Sequence, residues 1–157
     1  RAAAAEGTGN PNDFARRAFE AFRQGREDIA NGNDPSKHAR TALNAWEATV
    51  AVNVIHYVNG MQSALENVSG EVTKEKLDSP GGFEDSWGEA KAFAWALQFN
   101  DNSTLNDDQL RTIHDQLGND PPYGEGVDSS TYSGDLDKVK EEIQGAYSFE
   151  DANVSAW

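Results

Sequence analysis

A chain of 157 residues has the size of one ordinary domain and buries about two-thirds of its unfolded surface without covalent staples. It contains no cysteine, which excludes disulfides, thiolate metal sites and thiol nucleophiles while leaving the redox compartment open. Twenty-seven Asp and Glu against 13 Lys and Arg give a net charge of −14, a field that repels phosphate backbones and argues against a nucleic-acid partner.

Reading along the chain, Arg1 and the run Ala2 to Ala5 open a stretch without periodicity, so residues 1–11 are expected to be a tail or linker and 12–157 the folded domain. Over 12–31, Phe14, Ala18, Phe22 and Ile29 recur at helical intervals, which predicts an amphipathic helix with those four on its buried face. Asn31-Gly32-Asn33 ends it, and Asp34-Pro35 supplies the cap and first-turn proline of the next. That second helix is expected over 35–67. Its middle, Ala48 to Val58, is rich in β-branched residues and competes as a buried strand, but about thirty residues without proline favour one long central helix.

Glu71 to Leu77 reads as a short helix, followed by the breaker Ser79-Pro80-Gly81-Gly82. A third strong helix is expected over 84–99, with Trp87, Ala90, Ala94 and Leu97 on one face and Phe93, Trp95 and Phe99 widening it. Asn106 and Gln109 have the spacing of a capping box, opening a fourth helix that closes at Gly118. Residues 119–133 read as a long loop, either functional or packed by its own aromatics, and 134–147 as a last helix with Leu136, Val139, Ile143 and Tyr147 as its apolar stripe. The sum is an all-α, up-down bundle of four to five helices.

The segment Trp46–Asn59 is apolar around its circumference yet carries Thr49, Asn53 and His56 near one line, within about 60° on a helix of 3.6 residues per turn. Trp46, Thr49, Asn53 and His56 are therefore the candidate ligand-binding residues; the competing reading is that the polar groups bond across the bundle and fix its register. None of His38, His56 and His114 has a carboxylate at metal-ligand spacing on its own helix, so no metal site is assigned, although His56 with Glu89 of another helix stays open. Glu84, Asp85 and Glu89 are accounted for by the dipole at a helix start. Asp101, Asp107, Asp108, Asp120, Glu125 and Asp128 lack calcium-loop spacing, and Asn67, Asn102 and Asn153 open glycosylation triplets of the kind an Asn- and Ser-rich chain holds by chance. No phosphate loop, nucleophile elbow or Ser/His/Asp signature is present, so neither catalysis nor a cofactor is expected.

Ala21–Ile29 (AFRQGREDI), Trp46–Asn59 with its IHYVN core, Trp87–Phe93 (WGEAKAF), Leu97–Asn100 (LQFN) and the closing Ala146–Phe149 (AYSF) resemble, in order and spacing, the carboxy-terminal half of an uncharacterised bacterial envelope-protein family related to the imelysin-like proteins. The resemblance covers about residues 14–150. It implies an imelysin-like all-α fold and a non-enzymatic, extracytoplasmic binding or accessory domain, periplasmic or on the cell surface, of a lipoprotein or secreted protein linked to iron or other metal uptake. The His-x-x-Glu pattern of the imelysin class has no counterpart here, so no metal ligand carries over.

Two functions therefore stand side by side: the imelysin-like binding domain, and a structural subunit of a cell-surface or membrane-associated assembly. Partners are expected to be other envelope proteins or the chain itself. No stretch approaches the roughly 20 apolar residues of a membrane span, and no signal peptide is seen, so direct membrane insertion is not expected and anchoring falls to a part preceding Arg1. The acidic surplus suits a halophilic or extracellular setting in which salt screens self-repulsion.

Overall fold

A computed structural model describes residues 13–77, 79–124 and 126–157. Among the described residues it is all-α, with six helices and no strand beyond an isolated antiparallel bridge between Glu71 and Asp128. The expected tail, residues 1–11, lies outside the described residues. The chain divides into two compact units, 1–50 and 51–157.

In the first unit, helix α1 (Phe14–Ala30) is capped by the buried Asp13, whose carboxylate accepts from Arg16 N at 2.9 Å and pairs with Arg16 Nε at 3.0 Å. Gly32, at φ 75°, takes a left-handed conformation that favours glycine and turns the chain. Asp34 then accepts from Ser36 N at 2.9 Å and opens helix α2 (Ser36–Leu65), close to the expected bounds. Asp28 meets His38 Nε2 at 3.2 Å across the hairpin.

The face that α1 buries is the expected one only at Phe14 and, half-buried, Ala18. Phe14, Ala21 and Gly25 are buried, whereas Phe22 is 59% and Ile29 64% exposed. Small residues win the contact because they let two helix backbones approach: a Cβ at Gly25 would stand 3.3 Å from His38 Cβ. On α2 the buried positions of this unit are likewise small, Ala42, Ala45 and Ala48.

The second unit holds the rest of α2, a 3₁₀ turn (Lys74–Lys76), α3 (Pro80–Leu97), α4 (Asp107–Leu117), α5 (Ser129–Tyr147) and α6 (Asp151–Val154). Its core is Ile55, Val58 and Met61 from α2, Phe83, Ala94 and Leu97 from α3, Ile113 and Leu117 from α4, and Leu136, Val139 and Ile143 from α5. Helix α3 starts four residues before the expected position because Pro80 fills its first turn, where a missing N–H costs nothing, rather than breaking it. Helix α5 starts five residues early because Asp128, read as loop, is its cap and accepts from Ser130 N at 3.0 Å and Thr131 N at 3.2 Å.

The loop before α5 is pinned to the segment after α2: Val72 N donates to Val127 O at 2.8 Å, Ser129 N to Gly70 O at 2.8 Å, and the buried Ser129 Oγ to Val68 O at 2.7 Å. Asn59 Nδ2 donates to Val154 O at 2.8 Å and holds α6 to α2.

Candidate docking face

The α1–α2 hairpin presents one face built from two apolar rows. At about 100° per residue, Phe19, Phe22 and Ile29 lie on one arc of α1 adjoining its buried arc, and Pro35, Ala39, Leu43 and Trp46 recur at four- and three-residue steps on α2. In an antiparallel hairpin these arcs look out on the same side. Phe19 is 64%, Trp46 65% and Leu43 47% exposed. Between the rows runs a groove of about 600 Å³, walled by Phe19, Phe22, Ile29, Pro35 and Ala39 over the buried Ala21 and Gly25.

Cations edge the groove. Arg23 is held by Glu20 at 3.0 Å and Glu27 at 2.6 Å, so its charge is spent within α1. Arg26, also lining the groove, makes no ion pair with any described residue, and neither does Arg40 on α2. The field of the chain is divided sharply: residues 1–50 carry seven Lys and Arg and seven Asp and Glu, whereas 51–157 carry six against twenty and hold the whole charge of −14. A neutral, arginine-edged apolar face thus belongs to a strongly acidic molecule. Clusters of large apolar side chains left open to water on such a scale mark association surfaces.

The four residues singled out from sequence lie on α2, Trp46 and Thr49 in the first unit and Asn53 and His56 in the second. Trp46 stands on the exposed apolar row. Thr49 Oγ1 donates to Ala45 O at 3.1 Å, one turn back on its own helix. Asn53 is half-buried, and so is His56, whose ring lies 5.0 Å from that of Tyr57 and whose Nδ1 has no hydrogen-bond partner among the described residues. No group of three or more His, Asp and Glu among the described residues is placed to hold a metal ion, and no described helix is long and apolar enough to cross a membrane.

A second set of polar groups sits where α4 ends. Its last carbonyls would otherwise be unmet. Lys91 Nζ donates to His114 O at 2.9 Å, and Trp87 Nε1 at 2.8 Å and Tyr132 Oη at 3.3 Å both donate to Leu117 O. Burial lowers the Lys91 pKa against the pull of Asp115. Burial, then the Lys91 charge, lowers that of His114, neither of whose ring nitrogens has a partner among the described residues. In another cluster, burial and then the Glu84 charge push the Tyr123 hydroxyl up to about 12, with Lys74 5.1 Å from the ring and ion-paired to Glu84. Trp87, Lys91 and Tyr132 are engaged in closing the end of α4, which gives these three a structural task.

No family model, curated protein or solved structure matches the chain.

From sequence this exposed face is not expected, because Phe22 and Ile29 are assigned to the core. Two signals pointed to it: the small residues Ala18, Ala21 and Gly25 spaced at three and four residues beside the aromatics, and the confinement of every arginine but Arg111 to the first fifty positions.

Proposed function

We propose that the chain is a non-catalytic protein-interaction domain whose α1–α2 hairpin receives an amphipathic helix with apolar anchors and acidic flanks. The observation that carries this reading is the set of exposed Phe19, Phe22, Ile29, Leu43 and Trp46 on one hairpin face, with Arg26, which makes no ion pair with any described residue, lining the groove. Helix-in-groove recognition uses such anchors at three- and four-residue steps, and arginine is enriched where interfaces form. This favours the assembly-subunit function over ligand capture along the Thr49, Asn53 and His56 stripe. The imelysin-like kinship, an extracytoplasmic setting and a place among envelope proteins form part of the proposal, supported by the ordered phrases and the acidic surface. A link to metal uptake rests on the resemblance alone.

The test is a titration of the whole chain with two synthetic helices that share a leucine stripe, one flanked by glutamate and the other by lysine. The glutamate helix should bind, more tightly at low salt, and Phe22→Glu should weaken it at least tenfold. Equal binding of both helices, or none by either, overturns the reading.

A further inference from the structure

The free cation of the groove sits inside its apolar row. Phe19, Phe22, Arg26 and Ile29 follow one another along α1 at steps of three, four and three residues, all four line the groove, and all are exposed. At 3.6 residues per turn they share an arc of about 80° and span about 15 Å of helix. Alternating three- and four-residue steps are the spacing of a coiled-coil seam, here running beside the buried arc that holds Ala21 and Gly25. Three basic groups line the groove, and two are already engaged: Arg23 by Glu20 and Glu27, and His38 by Asp28. Among the described residues no Asp or Glu lines it, so Arg26 is left to meet whatever docks.

We propose that Arg26 sets the register of the docked helix: the partner carries one Glu or Asp within its apolar stripe, a turn away from an anchor on either side, and this acid meets Arg26. The inference rests on the docking reading above and deepens it by naming the pattern the partner bears. A helix laid along the row meets Phe19 and Phe22, then a cation, then Ile29. An apolar residue at the level of Arg26 takes an unpaired charge out of water, a cost relieved only if the guanidinium bends outward to the solvent. A carboxylate at that level turns the cost into a charge-assisted pair, flanked on both sides by apolar contacts that exclude water. A slip of the partner by one turn separates the two charges and sets a leucine over the guanidinium. A single polar position in an otherwise apolar seam fixes register in coiled coils for the same reason. Acidic flanks attract the helix to the hairpin, and the acid inside the stripe decides the level at which it docks.

The experiment is calorimetric titration of the full chain with two synthetic helices of identical composition and net charge. Both carry leucines at three- and four-residue steps. In the first, a glutamate replaces the central leucine of the stripe and a glutamine lies on the outer face; in the second, these two residues are exchanged. The wild type should bind the first about tenfold more tightly than the second at low salt. Arg26→Gln should bind the two alike, and Arg26→Glu should prefer a third helix with lysine at the centre over the first. Arg26 is exposed and makes no ion pair with any described residue, so these changes leave α1 intact, which circular dichroism checks. Phe22→Glu should weaken all of these helices, which shows that they occupy the groove. Equal binding of the first two helices by the wild type, or a preference that persists in Arg26→Gln, overturns the inference and leaves the docking reading standing, because both helices still bind. If neither binds and the glutamate-flanked helix does, the inference falls alone; if no helix binds, both fall together.

Discussion

Phe22→Ala tests whether the hairpin face is open in the isolated molecule. Phe22 is 59% exposed, so about two-fifths of its surface is covered. Full burial of a phenylalanine stabilises by about 1.5–3 kcal/mol, which makes the covered part worth about 0.6–1.2 kcal/mol. Alanine recovers some of this, because its intrinsic helix preference exceeds that of phenylalanine by up to about 0.7 kcal/mol. The net loss should therefore lie between about 0 and 1 kcal/mol, whereas Leu136→Ala, at a fully buried position of α5, should cost about 2–5 kcal/mol. Urea unfolding followed by circular dichroism, in dilute protein so that the groove stays empty, measures both. A Phe22→Ala loss above about 2 kcal/mol would show the ring to be covered within the monomer and would refute the reasoning.

Three further outcomes follow from the second unit. His114 has a pKa below its ordinary 6.5 because burial and Lys91 disfavour the imidazolium, so the unfolded chain takes up the proton first and stability should fall as pH drops below about 6.5. His114→Gln should flatten melting temperature between about pH 7 and pH 5, and an unchanged slope would exclude His114 as its source. Ser129→Ala removes the buried donor to Val68 O and should cost about 1–3 kcal/mol in urea unfolding; a neutral result would mean that the carbonyl finds another partner. Asn106→Ala removes the side-chain half of a complete capping box and should cost about 0.5–2 kcal/mol, seen as faster amide exchange in the first turn of α4.

The local chemistry of helix ends was legible where one residue type has one use. Asn106 with Gln109, Gly118, and Asp34 with Pro35 each marked a boundary that the structure keeps. Where a residue serves two ends the reading slipped: Pro80 both breaks and begins helices, and Asp128-Ser129-Ser130 is as much a cap as a loop. Helix α6 escaped because four residues are too few to show a period. The stripes of α3 and α5 were legible at Ala90, Ala94 and Leu97, and at Leu136, Val139 and Ile143, which are buried, but Trp95 and Phe99, expected to widen the α3 face, are exposed, and α3 ends at Leu97 before Phe99.

The stripe of α1 was not, for a physical reason. Hydrophobicity scales weight Phe22 and Ile29 above Ala21 and Gly25, but a two-helix hairpin gains most where its backbones come closest, and only small side chains allow that. The larger neighbours are displaced to the adjoining arc, where they form the exposed face proposed for docking. A single helix does not reveal which arc its neighbour takes, so the groove emerges only when α1 and α2 are set side by side.

Hydroxyl-radical footprinting of the full chain, with and without the glutamate-flanked helix, tests the central claim most directly. The account predicts protection of Phe19, Phe22 and Trp46, with Tyr123 and Tyr147 of the acidic unit unchanged. Protection confined to the acidic unit, or none on the hairpin at saturating peptide, would contradict it.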